Sequence, residues 1–269
     1  MHSLQKEHIT DLFVMVDDLI GHDRKTGRHG LAKSEAVTIL VWNALTEKQY
    51  LLKDIHSLIK RHYLGYFPKL PKYSAFVEQC QTILPEMILP LKMLLKNEAP
   101  IRFLDSTMVP VCRIHRKDSY KVAREIVGLG KNYQGFWYGF KLHGSVNERG
   151  QLCAVALTSA DVYDGHLSKV LTNKYTKIAV GDTHYGGKAQ TQPLFEKNGT
   201  IFLAYPHPKQ NKKLLAGWQK ILLDMRSKIE CVWDYLKEHM RFVTSFPRSA
   251  KGYLVHYLPI ILAYQLSTL

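Results

Sequence analysis

"PIRFLDSTMVP", residues 100–110, is where the pattern of this chain changes. Upstream, apolar residues recur every three or four positions. From Ile101 onward they gather in short runs, rich in β-branched and aromatic residues and bounded by turn formers. The runs are IRFLD (101–105), FWYGFKLHGSV (136–146), LCAVALTS (152–159), KIAVGD (177–182) and TIFLAYP (200–206). NERG, residues 147–150, reads as a hairpin turn between the second and third. A helix is expected from Asp164, acting as its N-cap, to about Leu171, with long helices at about 214–240 and 250–266. Strands, a hairpin and then alternating helices and strands predict an α/β fold, a mixed sheet flanked by helices.

The preceding region, residues 1–96, reads as all helical. Ile9, Leu12, Phe13, Val16, Leu19 and Ile20 share one helical face, and GHDRKTGRHG (21–30) breaks it. A second helix is expected from Ser34, as N-cap, to about Leu45, and a third from about Leu52 to Tyr63. FPKLPKY (67–73) is a basic linker into a further helix, which Pro85 and Pro90 must interrupt or kink. The chain thus divides into a helical region, 1–96, and a sheet domain, 97–269. Short helices studded with Lys and Arg suit a helix-turn-helix-like DNA-binding unit; they equally suit a cap packed on the sheet domain.

The 269 residues are 46% hydrophobic and 11% aromatic, as in a folded globular protein. Charge is less ordinary: 37 Lys and Arg against 23 Asp and Glu leave a net +14, with a pI near 9.5. Such a surplus favours a polyanionic partner through counterion release. No stretch of about 18 uncharged apolar residues points to a membrane span. The opening MHSLQKEHITDLF lacks a signal peptide's apolar core. The four cysteines, Cys80, Cys112, Cys153 and Cys231, form no CxxC pair, which fits reduced thiols in a cytoplasm. A mixed site of Cys112 with His115 is the remaining zinc arrangement to weigh.

Asp105 closes IRFLD and Asp182 closes KIAVGD. An aspartate at the carboxyl end of a buried strand either faces a site or caps a turn; two in one basic chain favour a shared site. MRSKIECVWDYLKEHM, residues 225–240, supplies a third carboxylate. At about 100° per residue, Leu222, Met225, Ile229, Val232 and Leu236 form its core face, and Arg226, Glu230, Trp233 and Lys237 an adjoining stripe. Glu230 at that margin can lean toward the strand ends. It can also be the surface partner of Arg226 at i, i+4, worth about 0.3–0.5 kcal/mol.

FLDSTMVPV (103–111), FWYGFKLHGSVNERGQLCAVALTSADVYDGHL (136–167), VGDTHYGG (180–187) and RSKIECVWDYLKE (226–238) resemble, in order, the Asp–Asp–Glu transposases of bacterial insertion sequences, the insertion sequence 982 group most closely. The resemblance implies an RNase H-like fold that cleaves DNA with two Mg²⁺ ions, Mn²⁺ substituting, and joins the freed 3′-OH to target DNA. It implies that Asp105, Asp182 and Glu230 are catalytic and hold the metals, Asp105 bridging both ions. Arg226, Glu230 and Lys237 match the wider Tyr-x2-Arg-x3-Glu-x6-Lys motif, with Leu223 in place of its Tyr. The implied partner is double-stranded DNA, at element ends and target, bound by a homodimer or higher oligomer in a bacterial cytoplasm.

Hard carboxylate oxygens suit Mg²⁺, and a metal pair can activate the attacking oxygen and stabilise the leaving one. Arg226 and Lys237 are then available for phosphate. Lys141 and His143, alternating to one face of a strand, resemble the family's Lys-x-His run and are candidates for DNA contact or an active-site role; the bland reading is a strand-edge pair with solvated heads. Trp233 could stack on an unpaired base, or pack in the core. His184 could touch substrate, and Asp161 flanks a turn. Two other functions share the motif set: a transposase-derived DNA-binding protein that has lost its chemistry, and an RNase H-like nuclease that never rejoins ends. Three retained carboxylates speak against the first.

Overall fold

The computed structural model describes residues 9–21, 30–46, 49–133, 135–205 and 215–269. The first eight residues, most of the break expected at 21–30, Pro206 and position 214 lie outside them. Contacts divide the chain into two compact units. One comprises the chain to Leu94 with Leu236–Phe242 and Pro247–Leu269, the other Leu95–Tyr235 with Val243–Phe246.

The second unit is built on a six-stranded mixed sheet: β1 (Ile101–Cys112), β2 (Gly128–Asn132), β3 (Gly135–Val146), β4 (Leu152–Ser159), β5 (Ile178–Val180) and β6 (Ile201–Leu203). β1 lies between antiparallel β3 and parallel β5, and β6 continues parallel beyond β5. β2 and β4 share the far edge of β3, β2 on Gly135–Gly139 and β4 on Phe140–Val146. The hairpin turn at 147–150 forms as expected, with the Gly150 N–H donating to the Asn147 carbonyl.

The strand begun by IRFLD does not stop at Asp105. β5 pairs only with Ile101–Phe103, while β3 accompanies β1 to Cys112. Asp105 therefore sits within a strand, at the point where the parallel neighbour ends. β2, GLGKN, has neither the apolar alternation nor the β-branched residues of a strand; the free edge of β3 recruits it. Arg102 is 1% exposed within β1. Its guanidinium donates to the carbonyls of Asn97 (2.6 Å) and Leu171 (3.1 Å), tying the chain before β1 to a helix beside the sheet.

That helix is α6 (Ser168–Leu171), entered through a 3-10 turn at Asp164–Leu167. Tyr163, not Asp164, takes the cap position, because the Asp164 carboxylate is turned to a lysine. α7 (Lys188–Asn198) was not legible, its period being interrupted by Pro193. The long helix expected to 240 is broken into α8 (Gly217–Asp224) and α9 (Ser227–Asp234), followed by a wider π turn, Tyr235–His239. At the break the Ser227 hydroxyl donates to the Asp224 carbonyl, a local bond that competes with helix continuation. On the buried face Leu223, not Leu222, joins Ile229, Val232 and Leu236.

The first unit holds α1 (Ile9–Ile20), α2 (Lys33–Leu45), α3 (Leu52–His62), α4 (Tyr73–Thr82), α5 (Leu84–Leu94) and α10 (Ala250–Ser267). Ala32, not Ser34, caps α2: Glu35 accepts the Ala32 N–H at 2.6 Å, and Ser34 is buried inside the helix. Pro85 marks the interruption between α4 and α5, while Pro90 lies within α5. α10, which chain order assigned to the sheet domain, packs against α2 and α5. It is apolar around most of its circumference, so it needs helices on several sides.

Arg102→Ala would remove the charged donor shared by the Leu171 and Asn97 carbonyls, leaving them the Ser145 hydroxyl and the Asn173 amide. It is expected to cost about 3 kcal/mol, read as a lower urea midpoint with an unchanged slope.

Candidate active site

The parallel register pairs Phe103 with Val180. Asp105 and Asp182 each stand two residues further on, so they meet at the carboxyl edge where β5 stops. There the chain turns sharply: the His184 N–H donates to Asp182 Oδ1 (2.8 Å) and the Tyr185 N–H to the Asp182 carbonyl (3.2 Å). Asp182 thus caps a turn with one oxygen and keeps the other for a ligand.

α9 lies across β1 and β3. Gly144 of β3, the register partner of Asp105, permits this approach: a Cβ there would come within 2.5 Å of the Trp233 ring. With Trp233 seated on Gly144, Glu230 lies one turn earlier on the same helix. Arg226, at its N-terminus, links the carboxylates, with Nη2 2.5 Å from Glu230 Oε1 and Nη1 3.7 Å from Asp105 Oδ1. The expected Arg226–Glu230 pair forms, but it is not a surface pair alone, since the same guanidinium reaches the strand aspartate.

Burial pushes the Asp105 carboxyl up to about 7, and the Asp182 and Glu230 charges push the same way. Arg226 and the Ser106 N–H oppose them. Asp182 and Glu230 are thus both near enough for their charges to be felt at Asp105. Among the described residues no group of three His, Cys, Asp or Glu side chains is gathered at metal-binding distance, so Cys112 and His115 gain no third ligand. The donor chemistry nevertheless fits a hard divalent cation: three carboxylates, no thiol or imidazole, and a guanidinium bridging two of them as a cation of another kind.

The other face of β1 and β3 carries a polar network. Ser106 pairs in register with His143, and Met108 with Lys141. Lys141 Nζ donates to Asp164 Oδ1 and to the Val162 carbonyl, both at 2.9 Å. The Thr158 hydroxyl donates to the Ser159 carbonyl and so accepts from His143 Nε2 at 2.8 Å. That leaves Nδ1 as the acceptor facing the Tyr185 hydroxyl, 3.5 Å away. Burial, with Lys141 adding to it and Asp164 opposing, lowers His143 to about 4, so the ring is neutral. Burial and the charges of Asp164, Asp105 and Asp182 drive the Tyr185 hydroxyl strongly upward, keeping it an O–H; Ser106 also bonds to it. Tyr185 belongs to the turn that Asp182 caps, so the network secures that turn from beneath.

Three expected DNA contacts therefore change meaning. His143 is 0% exposed and Trp233 3%, so neither offers a surface for DNA; Trp233 packs in the core. Lys141 is neither solvated nor at a strand edge; it is held by Asp164. Lys237 lies in the π turn that belongs to the first unit. His184 is exposed beside Asp182, its carbonyl accepting the Tyr163 hydroxyl, and Asp161 accepts the Ser159 hydroxyl. Sequence reasoning missed Tyr185, Ser106 and Gly144; the close sequence spacing of Tyr185 to Asp182 and of Ser106 to Asp105 was the available signal.

Two aspartates at the carboxyl edge of a mixed sheet, with a glutamate from a covering helix, define a carboxylate-centred α/β site. Residues 96–250 match the transposase DDE domain, more than half of the chain, and the chain belongs to that family. No curated protein matches it. Among the described residues no helix is long and apolar enough to cross a membrane.

Asp105 binds its proton up to about pH 7 when folded, against an ordinary value of 3.8. Between those values the folded chain holds a proton that the unfolded chain has lost, so stability present below pH 4 falls as pH rises to 7. In EDTA, Asp105→Asn is therefore expected to stabilise the protein by about 1–3 kcal/mol at pH 8 and to leave it unchanged at pH 3.5, measured by urea unfolding.

Proposed function

We propose that this transposase-family chain is an active transposase of a bacterial insertion sequence, of the insertion sequence 982 kind, that cleaves DNA at element ends and joins the 3′-OH to target DNA. The observation that carries this is the electrostatic reach of Asp182 and Glu230 to Asp105, with Arg226 contacting both Asp105 and Glu230. The sheet order, antiparallel β4, β3 and β1 followed by parallel β5 and β6, supports an RNase H-like fold.

Asp105, Asp182 and Glu230 would hold two Mg²⁺ or Mn²⁺ ions, which supply charge to activate the attacking oxygen and stabilise the leaving one. The raised pKa of Asp105 means that loading the site expels a proton from that carboxyl, so metal affinity should rise with pH up to about 7. Asp182, fixed by the His184 N–H, presents an oriented oxygen without reorganising its turn. With those carboxylates neutralised, Arg226 would be available to a phosphate, donating two N–H groups to two of its oxygens. Water cleaves the phosphodiester first; the liberated 3′-OH then attacks a target phosphate, and each attacking oxygen loses one proton as one P–O bond breaks.

The +14 net charge supports double-stranded DNA as the partner at both steps. The helical first unit is assigned to holding element ends, the sheet unit to chemistry, and Lys237 to the DNA strand. Joining two ends to one target calls for a dimer or larger assembly on DNA, in a bacterial cytoplasm.

Asp105→Asn, Asp182→Asn and Glu230→Gln are each expected to abolish cleavage while leaving duplex binding within about twofold. EDTA should stop the wild-type reaction, and Mg²⁺ or Mn²⁺ should restore it. Wild-type cleavage rates in any of these variants, or undiminished cutting in EDTA, would overturn the assignment.

A further inference from the structure

Beyond Asp105, β1 runs on into an open groove of about 710 Å³, in the size range that holds small organic ligands. Met108, Pro110 and Cys112 of β1 form part of it, facing Phe136 and Trp137 at the start of β3 and Phe246 from 243–246. Its surface is largely apolar, yet its aromatic rings are not covered: Phe136 is 56% exposed and Phe246 65%. Exposed aromatic surface gathered in a concavity marks a binding site.

The surroundings say what it binds. Arg113 lines the groove, and the segment that follows exposes Arg116, Lys121 and Arg124 as well. Lys117 is paired with Asp118. Lys131 Nζ stands 5.1 Å from the centre of the Phe136 ring. Exposed aromatic rings with Arg113 in the groove wall and Lys131 over Phe136 suit an unstacked nucleobase, the ring stacking on Phe and the attached phosphates meeting Arg and Lys. An apolar peptide would satisfy the rings and leave the cations unused.

We propose that the Phe136–Phe246 groove binds unpaired bases of the DNA strand whose phosphate is cut at Asp105. The inference rests on the DNA-cleaving reading above. Met108, the near end of the groove, lies three residues past Asp105 and, by strand alternation, on the opposite face of β1. β5 pairs with β1 no further than Phe103, so a DNA strand leaving Asp105 reaches the groove around the edge of β1 that β5 leaves. This face is separate from the buried Trp233 and adds a contact that duplex DNA cannot make without local melting.

The test compares fluorescein-labelled dT12 with a mixed-sequence duplex of the same length, across a salt series, for the intact chain. The wild type is expected to bind both. Phe136→Ala and Phe246→Ala should each weaken dT12 about tenfold, change duplex affinity by less than about twofold, and leave the slope of log K against log salt unaltered, because phosphate contacts remain. Unchanged circular dichroism and thermal midpoint are expected, since both rings are exposed. Unchanged dT12 affinity in the double variant, or equal loss for both DNA forms, overturns the groove and leaves the cleavage reading intact. A shift of the double variant from dimer to monomer, with dT12 affinity retained, makes the groove a protein interface and likewise overturns base docking. A wild-type chain that binds neither DNA form overturns the DNA reading itself.

Discussion

The charges of Asp182 and Glu230 act on Asp105, and the second unit holds these carboxylates within reach of one another despite their repulsion. Asp105 and Asp182 are brought side by side by the parallel pairing of β1 with β5, which ends two residues before each of them. Glu230 arrives on α9, whose approach depends on the missing side chain at Gly144. The repulsion is offset by Arg226, which reaches two of the three acids, and by Asp105 retaining its proton toward neutrality. Charge gathered in this way costs stability as long as no cation neutralises it.

The network on the opposite face of β1 and β3 answers the same constraint. Asp182 belongs to a short turn after a three-residue strand, an element with little stability of its own. Tyr185 anchors that turn in the core, and neutral His143, together with the Lys141–Asp164 pair, satisfies its surroundings. A partly buried ion pair with its remaining donors bonded is weakly stabilising at best; its value is in specifying one arrangement. Here the arrangement specified is the direction of the Asp182 carboxylate.

The extension of β1 past Asp105 links the acids to a second chemical surface. One strand places a carboxylate at its middle and an aromatic, cation-rimmed groove near its end. The two are held at fixed spacing by the β1–β3 ladder, which runs through both. A polymeric substrate is the kind of ligand that can use two such surfaces at once.

Much of this was written locally. The runs at 136–146 and 152–159 announce β3 and β4 through apolar and β-branched residues, and the periodicity of 9–20 announces α1, because those signals depend only on neighbours in the chain. The order of the short motifs carries the family resemblance that nominates Asp105, Asp182 and Glu230. What the sequence could not decide is which side each polar residue faces and what it meets. Lys141 and His143 looked like surface groups until β4 and the Asp164 turn closed over them; Trp233 looked available until Gly144 received it. The glycine-rich strand β2 and the company kept by α10 likewise depend on partners distant in sequence. Residue type and spacing determined most of the elements and family resemblance nominated the acids, whereas burial and pairing, which arise only when remote segments meet, decided which polar groups are exposed and which are held inside.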